Sequence, residues 1–287
     1  MKPIDVIASI PRREADTHKG TYGKALLVAG SEGMTGAAIL ASRGAYRAGA
    51  GLVTVGIDRS LFCAVSPAVP EAIFLDTGPG RSALGREVLN AYQAVLLGPG
   101  IGTTRSLDFA WWVLENRQGP LVLDADGINI TALDPQHHFP FRGDCIWTPH
   151  PGEFERLTGE RPQGDQERLQ AAERFVRARG GVLVLKGHRT LVMDRDGFVI
   201  NGTGNPGMAT AGAGDVLAGM IAAFLAQGFK PFAAARLAVH LHGRAGDLAA
   251  ADLGEVSLVA GDLIEYLPRV IQEHQANQTK ETPCKKV

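Results

Sequence analysis

Lys24-Ala25-Leu26-Leu27-Val28-Ala29-Gly30-Ser31 is the stretch that best indicates the fold of this chain. Its apolar run from Ala25 to Ala29 leads directly into glycine and serine, without the polar alternation of a half-exposed strand. Such a run is typical of a parallel strand that is buried on both faces and ends in a tight turn. The stretch therefore predicts a central strand of an α/β sheet.

The same signature recurs along the chain, at 52–57, 94–97, 121–123, 145–147 and 182–185. Helical patterns of about 10–20 residues separate most of these runs. This alternation predicts an α/β fold with a doubly wound, mainly parallel sheet flanked by helices. Asp196-Gly197 stands between two short apolar runs, which predicts a short antiparallel hairpin in addition.

No internal repeat and no Pro/Ser-rich linker divides the 287 residues. We therefore predict a single domain over residues 1–271 and a polar, disordered tail over 272–287. Two helices close the domain, from Asp215 to Gln227 and from Pro231 through Ala249. The first is apolar nearly all round and is expected in the core.

Composition excludes several classes of protein. The chain has 29 Lys and Arg against 30 Asp and Glu, and this net charge of −1 gives no reason to expect nucleic acid or an anionic membrane as a partner. Its longest uncharged apolar run, 216–229, is shorter than the roughly 18 residues of a membrane-spanning helix. Cys63, Cys145 and Cys284 are scattered, which indicates free thiols and a cytoplasmic location.

Polar or glycine-rich clusters follow five of the predicted strands. They are Gly30–Gly33, Gly98–Gly102, Asp124–Asp126, Thr148–Glu153 and Lys186–His188. Because the carboxyl ends of parallel strands meet along one edge, where ligands bind in open α/β sheets, the clusters predict a ligand crevice. Any one of them alone is compatible with an ordinary loop.

Ala211-Gly212-Ala213-Gly214-Asp215 precedes the most apolar predicted helix. Glycines at a helix N-terminus expose backbone N–H groups and the positive end of the helix dipole, so Gly212, Ala213 and Gly214 form a candidate anion hole. Asp215 would take a proton from an attacking hydroxyl while these N–H groups hold the transferring phosphoryl group. The alternative role for Asp215 is that of a helix N-cap.

Residues 212–215 resemble the G-x-G-D motif of ribokinase-like kinases. Longer strings narrow the resemblance: Lys24–Ser31, Met34–Ala38, Thr148–Glu153 and Asn205–Thr210. Together, over about residues 20–268, they are similar to the ADP/ATP-dependent (S)-NAD(P)H-hydrate dehydratases of the ribokinase-like superfamily. Ala213 stands where a hydroxyl residue is expected, which removes one phosphate contact and keeps the backbone donors.

The resemblance implies a repair enzyme for nicotinamide nucleotides. Its substrates would be (S)-NADHX and (S)-NADPHX, the 6-hydrates of NADH and NADPH, with ADP as phosphoryl donor and Mg²⁺ as cofactor. It also implies a homotetramer and a functional pairing with an NAD(P)HX epimerase, which we expect on a separate chain. A thin helix over 36–49 and the pair Trp111-Trp112 offer contacts between subunits, or alternatively an ordinary core.

By position, the resemblance assigns the site residues to three groups. The hydrate contacts are Ala37, Gly100, Gly102, His150 and Asp215; the ADP/AMP contacts are Lys186, Gly187, His188, Arg189, Thr190 and Gly214; and the catalytic residue is Asp215. The residues alone make Asp124 and Asp126 candidate ligands of Mg²⁺ through water, with turn formation as the competing interpretation. They leave Lys186 as a phosphate contact or a solvated strand-end charge, and His150 as a ligand contact or a loop histidine.

Two other functions stay open at this point. A vitamin kinase of the same fold, for hydroxymethylpyrimidine, hydroxyethylthiazole or pyridoxal, would share Asp215 but release a stable phosphoester. A non-catalytic nucleotide-binding module would bind ADP without turnover. Fold alone does not decide among these functions.

Overall fold

The computed structural model of the chain describes residues 1–4, 7–78, 85–103, 107–133 and 144–281. The strands are β1 (Lys2–Pro3), β2 (Lys24–Val28), β3 (Leu52–Ile57), β4 (Ile73–Asp76), β5 (Ala94–Leu97), β6 (Leu121–Leu123), β7 (Cys145–Trp147), β8 (Val182–Leu185), β9 (Leu191–Met193) and β10 (Gly197–Ile200). The α-helices are α1 (Thr35–Arg47), α2 (Phe62–Val65), α3 (Arg86–Asn90), α4 (Leu107–Asn116), α5 (Asp126–Leu133), α6 (Pro151–Thr158), α7 (Gly164–Arg179), α8 (Ala213–Ala226), α9 (Pro231–Leu253) and α10 (Ala260–Glu281). Short 3-10 helices span Lys19–Tyr22, Arg59–Leu61, Ser66–Ala68, Pro206–Met208 and Glu255–Ser257.

These strands form one sheet in the order β1-β10-β9-β8-β7-β6-β5-β2-β3-β4. Every pair from β8 to β4 is parallel, and β9 is antiparallel to both β8 and β10. The predicted fold class and the predicted hairpin are therefore confirmed. The sequence did not indicate β1, β4 or the antiparallel pairing of β8 with β9.

Strand β2 lies between two separate cores. Ala25 and Leu27 pack into the core that includes α1, α8, α9 and α10, whereas Leu26 and Val28 pack into the core beneath α4 to α7. All four side chains are at most 2% exposed. Because successive side chains of a strand point to opposite faces, a strand covered on both faces has no polar position, and this is why its sequence is a continuous apolar run.

Helices α1 and α8 pack with their backbones in close contact. A Cβ at Gly219 would lie 2.0 Å from a carbonyl oxygen of α1, and one at Gly44 would lie 2.7 Å from a carbonyl oxygen of α8. No side chain fits in either place, so both positions require glycine. The thin helix predicted over 36–49 thus serves a contact within the chain, and Trp111 and Trp112 pack half-buried against the second core.

Helix α10 extends past the domain boundary predicted at residue 271. It continues to Glu281, so the first part of the predicted disordered tail is helical, and residues 282–287 lie outside the described residues. His274 Nε2 lies 3.0 Å from the carbonyl oxygen of Ala8. This contact joins the polar end of α10 to the N-terminal segment of the chain.

No helix in the described part of the chain is long and apolar enough to cross a membrane. Cys63 is exposed, Cys145 is buried, and both are free, as the sequence predicts. Burial raises the pKa of the Cys145 thiol, which therefore stays protonated. Cys284 lies outside the described residues.

Candidate active site

The five polar clusters meet along one edge of the sheet, because the strands that carry them are parallel neighbours. Hydrogen bonds join adjacent clusters directly. Ser31 Oγ donates to the Gly100 carbonyl oxygen at 2.8 Å. Thr148 Oγ1 donates to Asp124 Oδ1 at 2.7 Å. The side chains and loops that the sequence places at strand ends are thus assembled into one continuous region.

Lys186 is the centre of a buried charge cluster at this edge. Its Nζ lies 2.6 Å from Asp124 Oδ1 and 3.8 Å from Glu153 Oε2, and the three side chains are 18%, 2% and 6% exposed. Burial lowers the pKa of Lys186, but the charges of Asp124 and Glu153 outweigh it and hold the pKa above its ordinary value. The ammonium is therefore charged, and the alternative of a solvated strand-end lysine is wrong.

Helix α8 begins beside this ammonium. Gly212 is its N-cap, with φ +88°, and Asp215 is the third residue of the helix. A Cβ on Gly214 would lie 3.4 Å from Lys186 Nζ. Asp215 is thus not the N-cap, and that alternative from the sequence is wrong. Of the predicted anion hole, the Ala213 amide donates to the Thr210 carbonyl at 3.4 Å, whereas the amides of Gly212 and Gly214 make no hydrogen bond among the described residues. The Asp215 amide is also unpaired there, so Gly214 and Asp215, in the first turn of α8, both offer an N–H group to an anion.

Asp215 carries a carboxyl group of perturbed acidity. Burial raises its pKa to about 6, and the like charge of Asp124 adds to the rise while Lys186 opposes it. No hydrogen bond or ion pair within the described part of the chain occupies this carboxyl group. A carboxylate that titrates close to neutral pH and has no protein partner suits a general base.

His150 is the N-cap of α6. Its Nδ1 accepts hydrogen bonds from the amides of Gly152 and Glu153, at 3.0 and 3.3 Å, and Glu153 Oε2 accepts one from the His150 amide at 2.8 Å. This reciprocal capping box fixes the loop after β7. Burial and the charge of Lys186 lower the pKa of His150, so its ring is neutral. The ring is 49% exposed, which leaves an edge that a ligand can reach.

The loop at 186–190, which contains the nucleotide contacts expected from the resemblance, is held by α7. Arg168 donates from Nη2 to the last carbonyl of β8 and from Nη1 to the carbonyl of His188, both at 3.1 Å. Arg189 has φ +56°, and its Nε lies 3.1 Å from a carboxylate oxygen of Asp165. The guanidinium of Arg189 therefore faces α7, and Arg168 is a positioning residue that the sequence did not reveal.

A second loop, Asn201–Thr210, leads into α8 and is held by α9. Asp247 Oδ1 accepts hydrogen bonds from the Gly204 amide at 3.1 Å and from Asn205 Nδ2 at 3.2 Å. The sequence pattern did not indicate Asp247 either. Its only signal is a carboxylate on the helix that follows a glycine-rich loop, which is too weak to select it.

Ala37, in α1, and Gly100, in the loop after β5, lie next to each other. A Cβ on Gly100 would lie 2.9 Å from the Cβ of Ala37. Ala37 lies in the first turn of α1. One turn further along α1, the side chain of Leu40 lies against Gly212: a Cβ placed on Gly212 would be 2.3 Å from Leu40 Cδ1. The expected hydrate contacts thus border the start of α8.

The two candidate metal ligands have different surroundings. Asp126 accepts a hydrogen bond at each carboxylate oxygen, from the Gly102 amide at 2.9 Å and from Asn129 Nδ2 at 3.2 Å. Asp124 uses Oδ1 for Lys186 and Thr148, and its Oδ2 has no hydrogen-bond partner among the described residues. The described part of the chain contains no cluster of three or more His, Cys, Asp or Glu that could hold a metal ion.

The family model described as NAD(P)H-hydrate dehydratase matches residues 25–269. The chain belongs to this family. A bifunctional NAD(P)H-hydrate repair enzyme of Moorella thermoacetica is 42% identical over 278 residues, covering 92% of this chain and 52% of that protein. An ADP-dependent (S)-NAD(P)H-hydrate dehydratase of Bacillus subtilis is 37% identical over 268 residues, covering 92% and 95%. The chain thus spans about half the length of the bifunctional relative.

Solved structures of this family and its superfamily show the same fold. An ADP/ATP-dependent NAD(P)H-hydrate dehydratase from Bacillus subtilis, co-crystallised with ATP and Mg²⁺, has a TM-score of 0.83 and 36% identity over 93% of this chain and 95% of that one. A ribokinase-like superfamily protein from Enterococcus faecalis has a TM-score of 0.82 and 29% identity over 93% of each chain. The ribokinase-like fold and the family predicted from the sequence are confirmed.

Proposed function

We propose that this protein is an ADP-dependent (S)-NAD(P)H-hydrate dehydratase, which restores NADH and NADPH from (S)-NADHX and (S)-NADPHX. The observation that carries the proposal is the position of Asp215 at the start of α8. In a chain of this family, three groups come together at this position: the unpartnered carboxyl group of Asp215, the unpaired amides of Gly214 and Asp215, and the ammonium of Lys186. This set contains a base, an anion hole and a cation for phosphoryl transfer.

The reaction proceeds in two steps. Asp215 takes the proton of the C6 hydroxyl as the hydroxyl oxygen bonds to the terminal phosphorus of ADP and the bond to AMP breaks. The C6–O bond then breaks with phosphate as leaving group, the neighbouring ring carbon loses a proton, and the nicotinamide double bond returns. The amides of Gly214 and Asp215 stabilise the charge of the transferring group, and Lys186 holds the phosphates.

The remaining assigned residues would bind the two substrates. Ala37, Gly100, Gly102 and His150 would contact the hydrate, since the first two touch each other near α8 and His150 exposes a ring edge. The loop of Lys186, Gly187, His188, Arg189 and Thr190 would contact ADP. The hold of Arg168 on this loop supports a preformed nucleotide site.

Mg²⁺ fits the site as a companion of the nucleotide. It takes oxygen ligands, keeps several waters and needs only one or two carboxylates beside substrate phosphates. Asp124 would hold it through water at Oδ2, the oxygen that its hydrogen bonds with Thr148 and Lys186 leave unused, and the ion would there neutralise phosphate charge. Asp126, the other candidate, would also hold Mg²⁺ through water, with one oxygen accepting a hydrogen bond from Gly102 and the other from Asn129.

The test incubates purified protein with (S)-NADHX, Mg²⁺ and either ADP or ATP, and follows the absorbance of reduced nicotinamide. We expect NADH to form at a higher initial rate with ADP, together with AMP and phosphate. A stable phosphoester without NADH would assign a kinase instead, and ADP binding without any product would assign a nucleotide-binding module. A clear preference for ATP would overturn the choice of donor alone.

The proposal extends to partners and location. The bifunctional relatives support a functional pairing with an NAD(P)HX epimerase. We propose a homotetramer, for which light scattering well above the monomer mass of 30.4 kDa is the test; a mass near 30.4 kDa would refute it. The free thiols of Cys63 and Cys145 support a cytoplasmic location.

A further inference from the structure

His242 is a buried histidine of α9 that the proposed mechanism does not use. It is 8% exposed, and its Nε2 lies 2.9 Å from the carbonyl oxygen of Ala213, the first residue of α8. Burial lowers the pKa of His242 to about 4, so the ring is neutral. Because a carbonyl oxygen only accepts, the single ring proton is on Nε2 and His242 donates the hydrogen bond.

The hydrogen bond from His242 acts on one of the two anion-hole amides. The Ala213 carbonyl and the Gly214 N–H belong to the same peptide group, which is planar and trans, so fixing the direction of the C=O fixes the direction of the N–H. Donation to the carbonyl also polarises the peptide and makes its N–H a stronger donor. His242 thereby controls both the aim and the strength of the Gly214 amide.

Beyond its backbone hydrogen bonds, such as that from the Val216 amide to the Gly212 carbonyl at 3.1 Å, the first turn of α8 has no side-chain cap, because its N-cap is Gly212. The Ala213 amide reaches the carbonyl of Thr210 only at 3.4 Å. A capping side chain at a helix N-terminus accepts hydrogen bonds from backbone N–H groups. His242, on the neighbouring helix α9, instead donates to a carbonyl oxygen of the first turn, which leaves the N–H groups of Gly214 and Asp215 unpaired.

We propose that His242 is a positioning residue for phosphoryl transfer, which holds the Ala213–Gly214 peptide so that the Gly214 N–H points at the transferring group. The proposal rests on the proposed function. It assigns His242 an effect on turnover rather than on binding, because the Gly214 amide meets its full charge only as the phosphoryl group moves.

The experiment compares His242→Leu, which cannot donate, with His242→Gln, whose side-chain amide places a donor at a similar reach. His240→Leu, on the same helix, is the matched control. We expect His242→Leu to lower kcat about tenfold, part of the ~10²–10³ lost with a whole oxyanion-hole donor, while the KM values change less than twofold. His242→Gln should recover most of kcat, and His240→Leu should match the wild type.

A second readout does not depend on turnover. Labelling alanine carbonyls with ¹³C and glycine nitrogens with ¹⁵N isolates the Ala–Gly amides, including that of Gly214. We expect its proton resonance to move upfield in His242→Leu and to stay in place in His240→Leu. An unmoved Gly214 resonance, or kcat within twofold of wild type in His242→Leu, would overturn the proposal. If the Gly214 resonance moves in His242→Leu but the wild-type protein has no dehydratase activity, the result would overturn the proposed function alone.

Discussion

Replacing Asp215 with asparagine separates the chemistry of this residue from its place in the fold. Asparagine has nearly the same shape but cannot take a proton. No protein hydrogen bond is lost, because the carboxyl group of Asp215 makes none among the described residues, and Gly212 rather than Asp215 caps the helix. We expect turnover to fall by roughly 10²–10⁴, the usual contribution of a positioned base. ADP affinity should persist or increase, since a negative charge near the phosphates is removed.

The same substitution should stabilise the protein in one pH range. The pKa of Asp215 rises from its ordinary value of 3.8 to about 6 on folding, so ionising this residue in the folded state costs about 2–3 kcal/mol. The penalty is complete above pH 6, shrinks as the pH falls through 6, and vanishes below the unfolded pKa. Asp215→Asn should therefore raise the melting temperature by about 5 °C at pH 8, and should raise it little near pH 4.

The assay measures kcat from reduced nicotinamide absorbance and thermal melting on the same preparation, with the exposed Asp16→Asn as control. Because Asp16 is exposed, its replacement should change neither quantity. Turnover within about tenfold of wild type in Asp215→Asn would refute the general-base role. A lower melting temperature at pH 8 would refute the argument from burial.

Three further predictions follow from the same region. The wild-type kcat/KM should fall as the pH drops below about 6, because Asp215 becomes protonated, and a flat profile between pH 5 and 8 would contradict this. Lys186→Met should raise the KM for ADP and destabilise the fold by about 3–5 kcal/mol, since two carboxylates lose their buried partner; denaturant unfolding checks this, and unchanged stability would contradict it. Arg168→Ala should raise the KM for ADP about tenfold, with kcat within about threefold, because the loop loses two hydrogen bonds. Arg174 lies on the same helix as Arg168, is exposed and pairs with Glu160, so Arg174→Ala is the control. Equal KM values in the two variants would contradict the prediction.

The sequence predicts the centre of the sheet well and its edges poorly. Strands covered by helices on both faces leave an unbroken apolar run, as β2 does. Strand β4 lies at one edge of the sheet, and its residues Ile73–Asp76 are exposed to half-buried, so their sequence lacks the continuous apolar run of a buried strand. The helical continuation of α10 depends on contacts with the N-terminal segment, which no local pattern contains.

In the candidate site too, the sequence predicts the groups at strand ends and does not predict the contacts that helices make. Clusters at strand ends are predictable because parallel strands bring their carboxyl ends together, and Lys186 and Asp124 do meet there. Arg168, His242 and Asp247 act from helices through contacts with backbone groups distant in sequence. A single polar residue within a helical pattern carries no information about such a contact, so only the folded chain reveals it.

The glycine contact between α1 and α8 has a consequence for how the two substrates meet. Ala37 lies at the start of α1 and Asp215 at the start of α8, and at Gly44 and Gly219 the two backbones touch without intervening side chains. Helices in such contact cannot slide past each other without a clash, and separating them would lose the packing between them, so we expect the pair to move as a rigid body. With the hydrate bound against Ala37 as proposed, the distance between its hydroxyl group and Asp215 is therefore set when the chain folds, before either substrate arrives.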